Sequence, residues 1–260
     1  LRVLSVSPRP VLDLGRPGCF DDNGVILGDL VEAEGRLYLF YVGFQLVAKA
    51  KFLAFTGVAV SDDGGDSFQR LSESPVLDRG PLQSTIGAVH TARYEQGRWR
   101  LWFARGDDWE IIDGKPYPRD EISYAEGTDL LDLPRRSTPC LFPEPPEYRI
   151  GRPRVYREGE GYVMYYTKGT TTGEYFPGKA YSADGIHWTR ADADFELTLS
   201  PEGWDSVHLC YPALLDAGGR PRPELYQDDL HLNAAGYALW RERVRPPLLA
   251  VLGFSSESAE

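Results

Sequence analysis

A repeat of about 62 residues constrains this chain more than any other feature of its sequence. Three segments align at that spacing, EGRLYLFYVGF from Glu34, QGRWRLWFARG from Gln96 and GEGYVMYYTKG from Gly159. Equivalent turn residues of successive segments are 62 and 63 residues apart. A fourth segment, LLDAGGR at 214–220, falls near the next position of the repeat. Each segment places a tight turn between an apolar stretch and an aromatic run, which predicts a β-hairpin.

A second motif follows each hairpin. GVAVSDDGGDSFQRL at 57–71 matches GKAYSADGIHWTRA at 178–191, and EISYAEGTDLLDLPR at 121–135 is a weaker copy. Their shared form is a strand, a capped Ser-x-Asp-Gly turn and a further short strand. Each unit therefore has four strands, as one blade of a β-propeller does. We predict an all-β propeller with three full blades, a partial fourth, and a fifth largely missing or improvised.

The tripeptide Gly-Asp-Ser ending at Ser67 has a second interpretation, because it is also a hydrolase nucleophile motif. The equivalent turn at 184–188 reads DGIHW and has no such serine. A nucleophile of that kind sits on a sharp turn between a buried strand and a helix, whereas FQRLSESPVL reads as strand and loop. We interpret Ser67 as a turn residue.

The order of the blade motifs over about 15–220, together with CFDDNGV at 19–25, resembles the five-bladed β-propeller glycosidase superfamily. Invertase-like, arabinanase-like and levansucrase-like enzymes belong to that superfamily, and the likeness is greatest to an uncharacterised bacterial branch. The resemblance implies a carbohydrate ligand at one mouth of the channel, with carboxylates supplied by the starts of the innermost strands. Glycoside hydrolysis requires two such carboxyl groups with different environments.

Three acidic residues are the catalytic candidates that this resemblance implies. Asp21 or Asp22 would be the base or nucleophile, since the invertase-like pattern favours the first and the arabinanase-like pattern the second. Glu147 would be the acid. The alternatives without a catalytic role are that DDNG forms a capped turn and that Glu147 is a solvated loop residue.

Five further residues are candidates for substrate binding: Arg152, Asp205, His208, Trp109 and Tyr175. The arginine would hold a carboxylate or an anionic substituent, and the aromatic residues would stack on sugar faces. Each also has a purely structural interpretation. Arg152 could pair with a structural carboxylate, Asp205 could be a turn residue and His208 a core histidine. Trp109 and Tyr175 could simply pack within a blade. Blade two offers no acidic residue at its start, and Val207 stands where the resemblance implies an acid, and both departures disfavour hydrolysis.

The tail departs from the repeat. YQDDLHLNAAGYALW at 226–240 resembles, over 224–248, the last block of SGNH hydrolases, in which Asp228 would orient His231 as a general base. The remaining SGNH blocks are absent. We predict a propeller domain at 1–220, a tail segment with a short helix at 221–252, and disorder at 253–260.

Charge and composition exclude other classes of protein. The formal net charge is −11, which disfavours nucleic acid and anionic membranes as partners. No run of 18 apolar residues and no signal-peptide pattern is present, and the three cysteines show no metal spacing. We expect a cytoplasmic protein without a metal or cofactor. The leading hypothesis is a glycoside hydrolase or transferase; the alternatives are a non-catalytic glycan-binding propeller, a degenerate truncated product and an SGNH-type esterase.

Overall fold

The computed structural model describes residues 7–195, 198–202 and 206–214. Contacts divide the chain into two units, one made of Leu1–Pro10 with Leu214–Glu260 and one of Val11–Ala213. Nearly all described residues belong to the second unit. Asp205, the pair Asp228 and His231, and the segments for which we predict most of a fourth blade, a tail helix and a disordered end lie outside the described residues.

Three blades of four strands make up this unit; pairing is antiparallel within each blade, and a short parallel pairing joins blades one and two in one sheet. Blade one contains β1 (Gly24–Ala33), β2 (Arg36–Gln45), β3 (Leu53–Ser61) and β4 (Gln69–Arg70). Blade two contains β5 (Ile86–Glu95), β6 (Arg98–Ile112), β7 (Lys115–Gly127) and β8 (Thr138–Leu141). Blade three contains β9 (Glu147–Glu158), β10 (Gly161–Thr170), β11 (Tyr175–Ser182) and β12 (Thr189–Arg190). The propeller prediction is therefore confirmed, while a total of five blades stays a prediction.

Two-residue turns join the first two strands of blades one and two. Glu34 and Gly35 have φ of 52° and 75°, and Gln96 and Gly97 have φ of 53° and 74°. Positive φ at both central positions is the signature of the type I′ turn, whose twist matches that of the flanking strands. The glycine in each repeat is thus explained by backbone geometry.

Side chains cap the later Ser-x-Asp-Gly turns as the motif predicts. The hydroxyl of Ser61 accepts a hydrogen bond from the amide of Gly65 at 2.9 Å, and that of Ser182 accepts one from Gly185 at 2.8 Å. Ser67 belongs to the first of these turns, because its hydroxyl donates to Asp63 Oδ2 at 2.5 Å. This geometry agrees with the interpretation of Ser67 as a turn residue.

Apolar side chains fill the space between successive blades. Blades one and two share a cluster that contains Phe40, Val58, Val89 and Phe103. Blades two and three share another: Trp102, Ile122, Tyr124, Ile150, Met164 and Tyr166. The Trp102 indole also donates to the carbonyl of Gly185, at 2.7 Å, in the capped turn of blade three. Burial of large side chains against the next blade supplies most of the favourable free energy in such a fold.

The first strands of the three blades lie side by side, and each contains a β-bulge. Register shifts occur between Leu27 and Asp29 in β1, between Val89 and Thr91 in β5, and opposite Arg152 in β9. Polar side chains then connect neighbouring strands. Asp29 Oδ2 accepts from the amide of Ala92 at 2.9 Å, and Thr91 Oγ1 accepts from that of Val155 at 3.1 Å. These bulges re-aim the side chains along the centre of the molecule.

In the described residues there is no helix with the length and hydropathy that crossing a membrane requires. The same residues contain no cluster of three His, Cys, Asp or Glu side chains able to hold a metal ion.

Candidate functional site

A cavity of about 310 Å³ opens at the end of the molecule where the three innermost strands begin. We call it the mouth cavity. Its apolar floor comes from the first halves of β1 and β5 and from facing positions on β2, β3 and β6: Ile26, Val42, Ala54, Ile86, Ala88 and Ala104. Polar side chains come from β5, β7, β9, β10 and β11, from Lys51 between β2 and β3, and from Tyr211 after β12, so all three blades contribute to one site.

Asp120, on β7, is the one carboxyl group among the described residues that line the mouth cavity. Its side chain is 9% exposed, and its Oδ1 has no hydrogen-bond partner in the described part of the chain. Burial raises its pKa to about 7, with the nearby Arg149 guanidinium acting in the opposite direction. A carboxyl group with such a pKa holds a proton near neutral pH and can donate it.

His90 is the residue that the β5 bulge turns toward the cavity. It is 4% exposed, and Nδ1 lacks a partner among the described atoms. Burial holds the His90 pKa well below its usual value, and the positive charges of Arg152 and Arg154 act in the same direction. The imidazole is therefore neutral near pH 7 and presents an unused nitrogen.

Arg152 lies at the β9 bulge with φ of 55°, and Tyr211, also on the cavity wall, has φ of 60°. Residues other than glycine rarely adopt this left-handed backbone conformation, which is strained. Backbone strain of this kind concentrates at functional sites. The Arg152 guanidinium lies 4.5 Å from the centre of the Tyr211 ring. Within the described part of the chain, Arg152 forms no ion pair with a carboxylate.

Arg149 and Lys51 complete the charged lining. Arg149 donates a hydrogen bond to the Tyr175 hydroxyl and lies 4.8 Å from the centre of that ring. Lys51 stands 4.7 Å from the centre of the Tyr117 ring. Aromatic faces and cationic groups thus alternate around the opening, and Phe44 and Phe52 extend the apolar wall.

No family model matches the chain. The chain is 29% identical over 234 residues to Uncharacterized protein Rv1502 of Mycobacterium tuberculosis strain H37Rv, and equally to Uncharacterized protein MT1551 of strain CDC 1551. These matches cover 88% of this chain and 75% of the relatives.

Solved structures are similar at lower identity. A glycoside hydrolase has a TM-score of 0.52 at 17% identity, and the match covers 74% of this chain. A thermostable family-43 glycoside hydrolase has a TM-score of 0.51 at 15% identity and covers 66%. An endo-1,4-beta-xylanase from Bacteroides thetaiotaomicron has a TM-score of 0.50 at 17% identity and covers 70%.

The fold is that of the β-propeller glycoside hydrolases. The chain spans between 55% and 62% of the length of these three structures. Identity at this level shows the fold alone, so the site has to be judged from its own residues.

Asp21 lies inside blade one of this propeller and does not line the mouth cavity. The residue is 0% exposed, and its Oδ2 accepts hydrogen bonds from Arg70 Nε at 2.8 Å and from the Tyr41 hydroxyl at 3.1 Å. Arg70 stands on β4, the outermost strand. The contact therefore joins the start of the blade to its outer edge, as a structural ion pair does.

Glu147 has an equivalent place in blade three. Arg190, on the outermost strand β12, binds both of its carboxylate oxygens, at 2.7 and 3.0 Å. Tyr166 donates to Asp192 at 2.7 Å, and Arg190 also binds Asp192. Glu147 does not line the mouth cavity either, and a catalytic role for Asp21 or Glu147 stays a prediction.

The other predicted residues differ in their relation to the cavity. Arg152 and Tyr175 line it. His208 is exposed and adjoins it, because its Nδ1 accepts from the Tyr175 amide at 3.2 Å. Trp109 packs against Phe52, with ring centres 5.9 Å apart, outside the lining. Asp22 also lies outside it, where its Oδ2 accepts from the Gly18 amide at 2.8 Å.

Sequence reasoning missed Asp120 and His90 as site residues. Neither stands at the start of an innermost strand, where the resemblance directed attention. The available signals were a histidine in the apolar run GAVHTARYE and an acid in a strand that also carries Tyr117 and Pro118. Both are weak in a single sequence, because bulges and strand extensions leave no composition signature.

Proposed function

We propose that this chain is a carbohydrate-active protein whose ligand binds in the mouth cavity. The observation that supports it is the lining, which combines the Tyr175 and Tyr211 rings with hydrogen-bonding groups on Arg149, Asp120 and His90. Sugars present apolar ring faces together with hydroxyl groups, so they need both kinds of contact. A propeller also binds its ligand where the blades converge, which is the location of this cavity.

Carbohydrate binding is the function that the site supports best. Glycoside hydrolysis ordinarily uses two carboxyl groups on either side of the scissile bond. The described lining offers Asp120 alone, whereas Asp21 and Glu147 are held in ion pairs by Arg70 and Arg190. The cavity can therefore hold a sugar with its own residues, while a full acid–base pair would require a further group.

Glycoside hydrolysis is the second candidate, and one observation favours it. The pKa of Asp120, at about 7, suits a general acid that protonates a leaving-group oxygen at neutral pH. Proteins with this fold include a family-43 glycoside hydrolase and an endo-1,4-beta-xylanase. In this version Asp120 gives its proton to the glycosidic oxygen as the bond to the anomeric carbon breaks, water adds to that carbon, and a further group takes the proton that the water loses. His90, neutral and adjacent to the same space, hydrogen-bonds the sugar.

A glycan microarray followed by calorimetric titration tests the binding proposal. Wild-type protein should bind a defined set of glycans, and Tyr175→Ala should lose that binding. Tyr181→Ala on the same strand, outside the cavity lining, is the matched control and should bind normally. Absence of binding by folded wild-type protein across the array would contradict the proposal.

Chromatographic detection of released sugar then distinguishes the two candidates. If the chain is a hydrolase, Asp120→Asn should abolish product formation and preserve binding. If it is a binding protein, wild-type protein should release no sugar from any glycan that it binds.

A further inference from the structure

We propose that the carbohydrate carries a negatively charged group, a carboxylate or a phosphate, and that Arg149 and Arg152 bind this group. The inference rests on the proposed function, since it names the class of ligand for the same cavity. It follows from the charge, the pairing and the backbone geometry of the lining.

The lining is cationic in an acidic protein. The whole chain has a formal net charge of −11, yet the mouth cavity contains Lys51, Arg149 and Arg152 against one carboxyl group. That group is Asp120, which is about half protonated near pH 7 because burial raises its pKa to about 7. The local charge is thus opposite in sign to that of the molecule, and it attracts anions into the opening.

Nearby carboxylates are already bound to other cations. Glu147, two residues before Arg149, is held by both nitrogens of Arg190. Asp29 accepts from Arg154, two residues after Arg152, at 3.3 Å. Neither Arg149 nor Arg152 forms an ion pair with a described residue, so the two guanidinium groups keep most of their donors for a ligand.

Burial of Arg152 is costly, because no carboxylate in the described part of the chain pairs with it. Its side chain is partly buried, and burial lowers its pKa, with Arg154 and Arg149 acting in the same direction. Its backbone has φ of 55°. The Tyr211 ring 4.5 Å away orients the guanidinium but does not neutralise it. Desolvated cations in proteins are normally paired, and an anionic ligand would supply the missing partner.

The surrounding groups suit an anionic sugar in particular. Guanidinium groups bind carboxylates and phosphates through two parallel hydrogen bonds, and protonated Asp120 can donate to the same anion. Tyr175, fixed by its hydrogen bond from Arg149, offers a ring face beside the charged group. A cavity of about 310 Å³ is large enough for one sugar ring with its substituent.

Calorimetric titration with sugars matched in ring stereochemistry tests the inference. The probes are glucose, galactose and mannose as neutral methyl glycosides, as uronic acids and as 6-phosphates. At least one acidic form should bind about 10- to 100-fold more tightly than its neutral counterpart. Preference for the uronic acid or for the phosphate identifies which anion the site takes. The affinity should also fall as NaCl is raised from about 50 to about 500 mM.

Variants assign the effect to the two arginines. Arg149→Gln and Arg152→Gln should each remove most of the advantage of the acidic sugar, and Arg152→Lys should retain part of it. Arg98→Gln, which removes an exposed cation paired with Glu126, is the matched control and should bind as wild type does. Circular dichroism checks that each variant is folded.

Two negative outcomes are distinguishable. Equal affinity for neutral and acidic sugars would overturn the anionic assignment and leave the proposed function standing. No binding of any sugar by folded wild-type protein would contradict the proposed function itself.

Discussion

Arg70 and Arg190 stand at equivalent positions on the outermost strands of blades one and three. Arg70 binds Asp21, which lies just before β1, and Arg190 binds Glu147, the first residue of β9. Both contacts join the inner and outer edges of a blade. This recurrence indicates that Asp21 and Glu147 stabilise their blades through ion pairs with the outermost strands.

Arg70→Met should destabilise the fold, because it leaves the buried Asp21 carboxylate without its cation. Removing one partner of a buried ion pair typically costs about 3–5 kcal/mol. Urea denaturation of wild type and variant measures the change in the free energy of unfolding. Arg16→Met is a suitable control, since it removes an arginine from an exposed pair with Glu73 and should leave the free energy of unfolding nearly unchanged. Equal stability of the two variants would contradict a structural role for Asp21.

Asp120 should make stability depend on pH in a direction opposite to that of an ion-paired carboxylate. Its folded pKa of about 7 lies above the usual 3.8, so the folded chain binds this proton more tightly than the unfolded chain. Its contribution is therefore fully present below about pH 4 and is lost as pH rises toward 7.

Asp120→Asn, which cannot ionise, should become more stable relative to wild type as pH increases. The relative gain between about pH 4 and pH 8 should be at most about 4 kcal/mol, from about 1.4 kcal/mol per pKa unit. Urea denaturation at several pH values measures it, with the exposed Asp66→Asn as a control for loss of one carboxylate. A stability difference that is constant over this range would mean that Asp120 is ionised in the folded protein.

The hairpins and capped turns are the elements that sequence reasoning predicted well, because their glycine, serine and aspartate positions follow from local backbone geometry. The half of the β6–β7 hairpin next to its turn could not be predicted from the sequence. Pro116 and Pro118 pair with β6 there, in a part of β7 that β8 does not reach. Proline is tolerated in such an edge strand, yet in sequence it reads as loop. This extension carries Asp120, so the missed element and the missed residue have one cause.

Gly57 and Gly178 are equivalent glycines on the third strands of blades one and three. A Cβ atom at Gly57 would lie 2.3 Å from Tyr41 Cζ, and one at Gly178 would lie 2.4 Å from Tyr166 Cζ. Gly57→Ala and Gly178→Ala should each destabilise the protein by about 1–3 kcal/mol through overpacking. Gly24→Ala is the control, because its Cβ would meet only ordinary contacts at 3.5 Å or more. Thermal unfolding that ranks Gly24→Ala as equally harmful would contradict this packing.

At the scale of the whole molecule, the repeat determines where a site can form but does not determine which residues occupy it. Four-stranded blades arranged side by side bring the starts of their first strands together, and the mouth cavity is the result. The lining then depends on the bulges of β5 and β9 and on one strand extension, which involve contacts between blades. A single sequence carries little information on such contacts, and for that reason the architecture was predictable while Asp120 and His90 were not.

The most direct test of the central claim is a crystal structure of the protein with the glycan that it binds most tightly. The account predicts electron density for a sugar in the mouth cavity, with its acidic group within hydrogen-bond distance of Arg149 and Arg152. Density for the sugar at any other place, with the mouth cavity filled by solvent alone, would contradict the account.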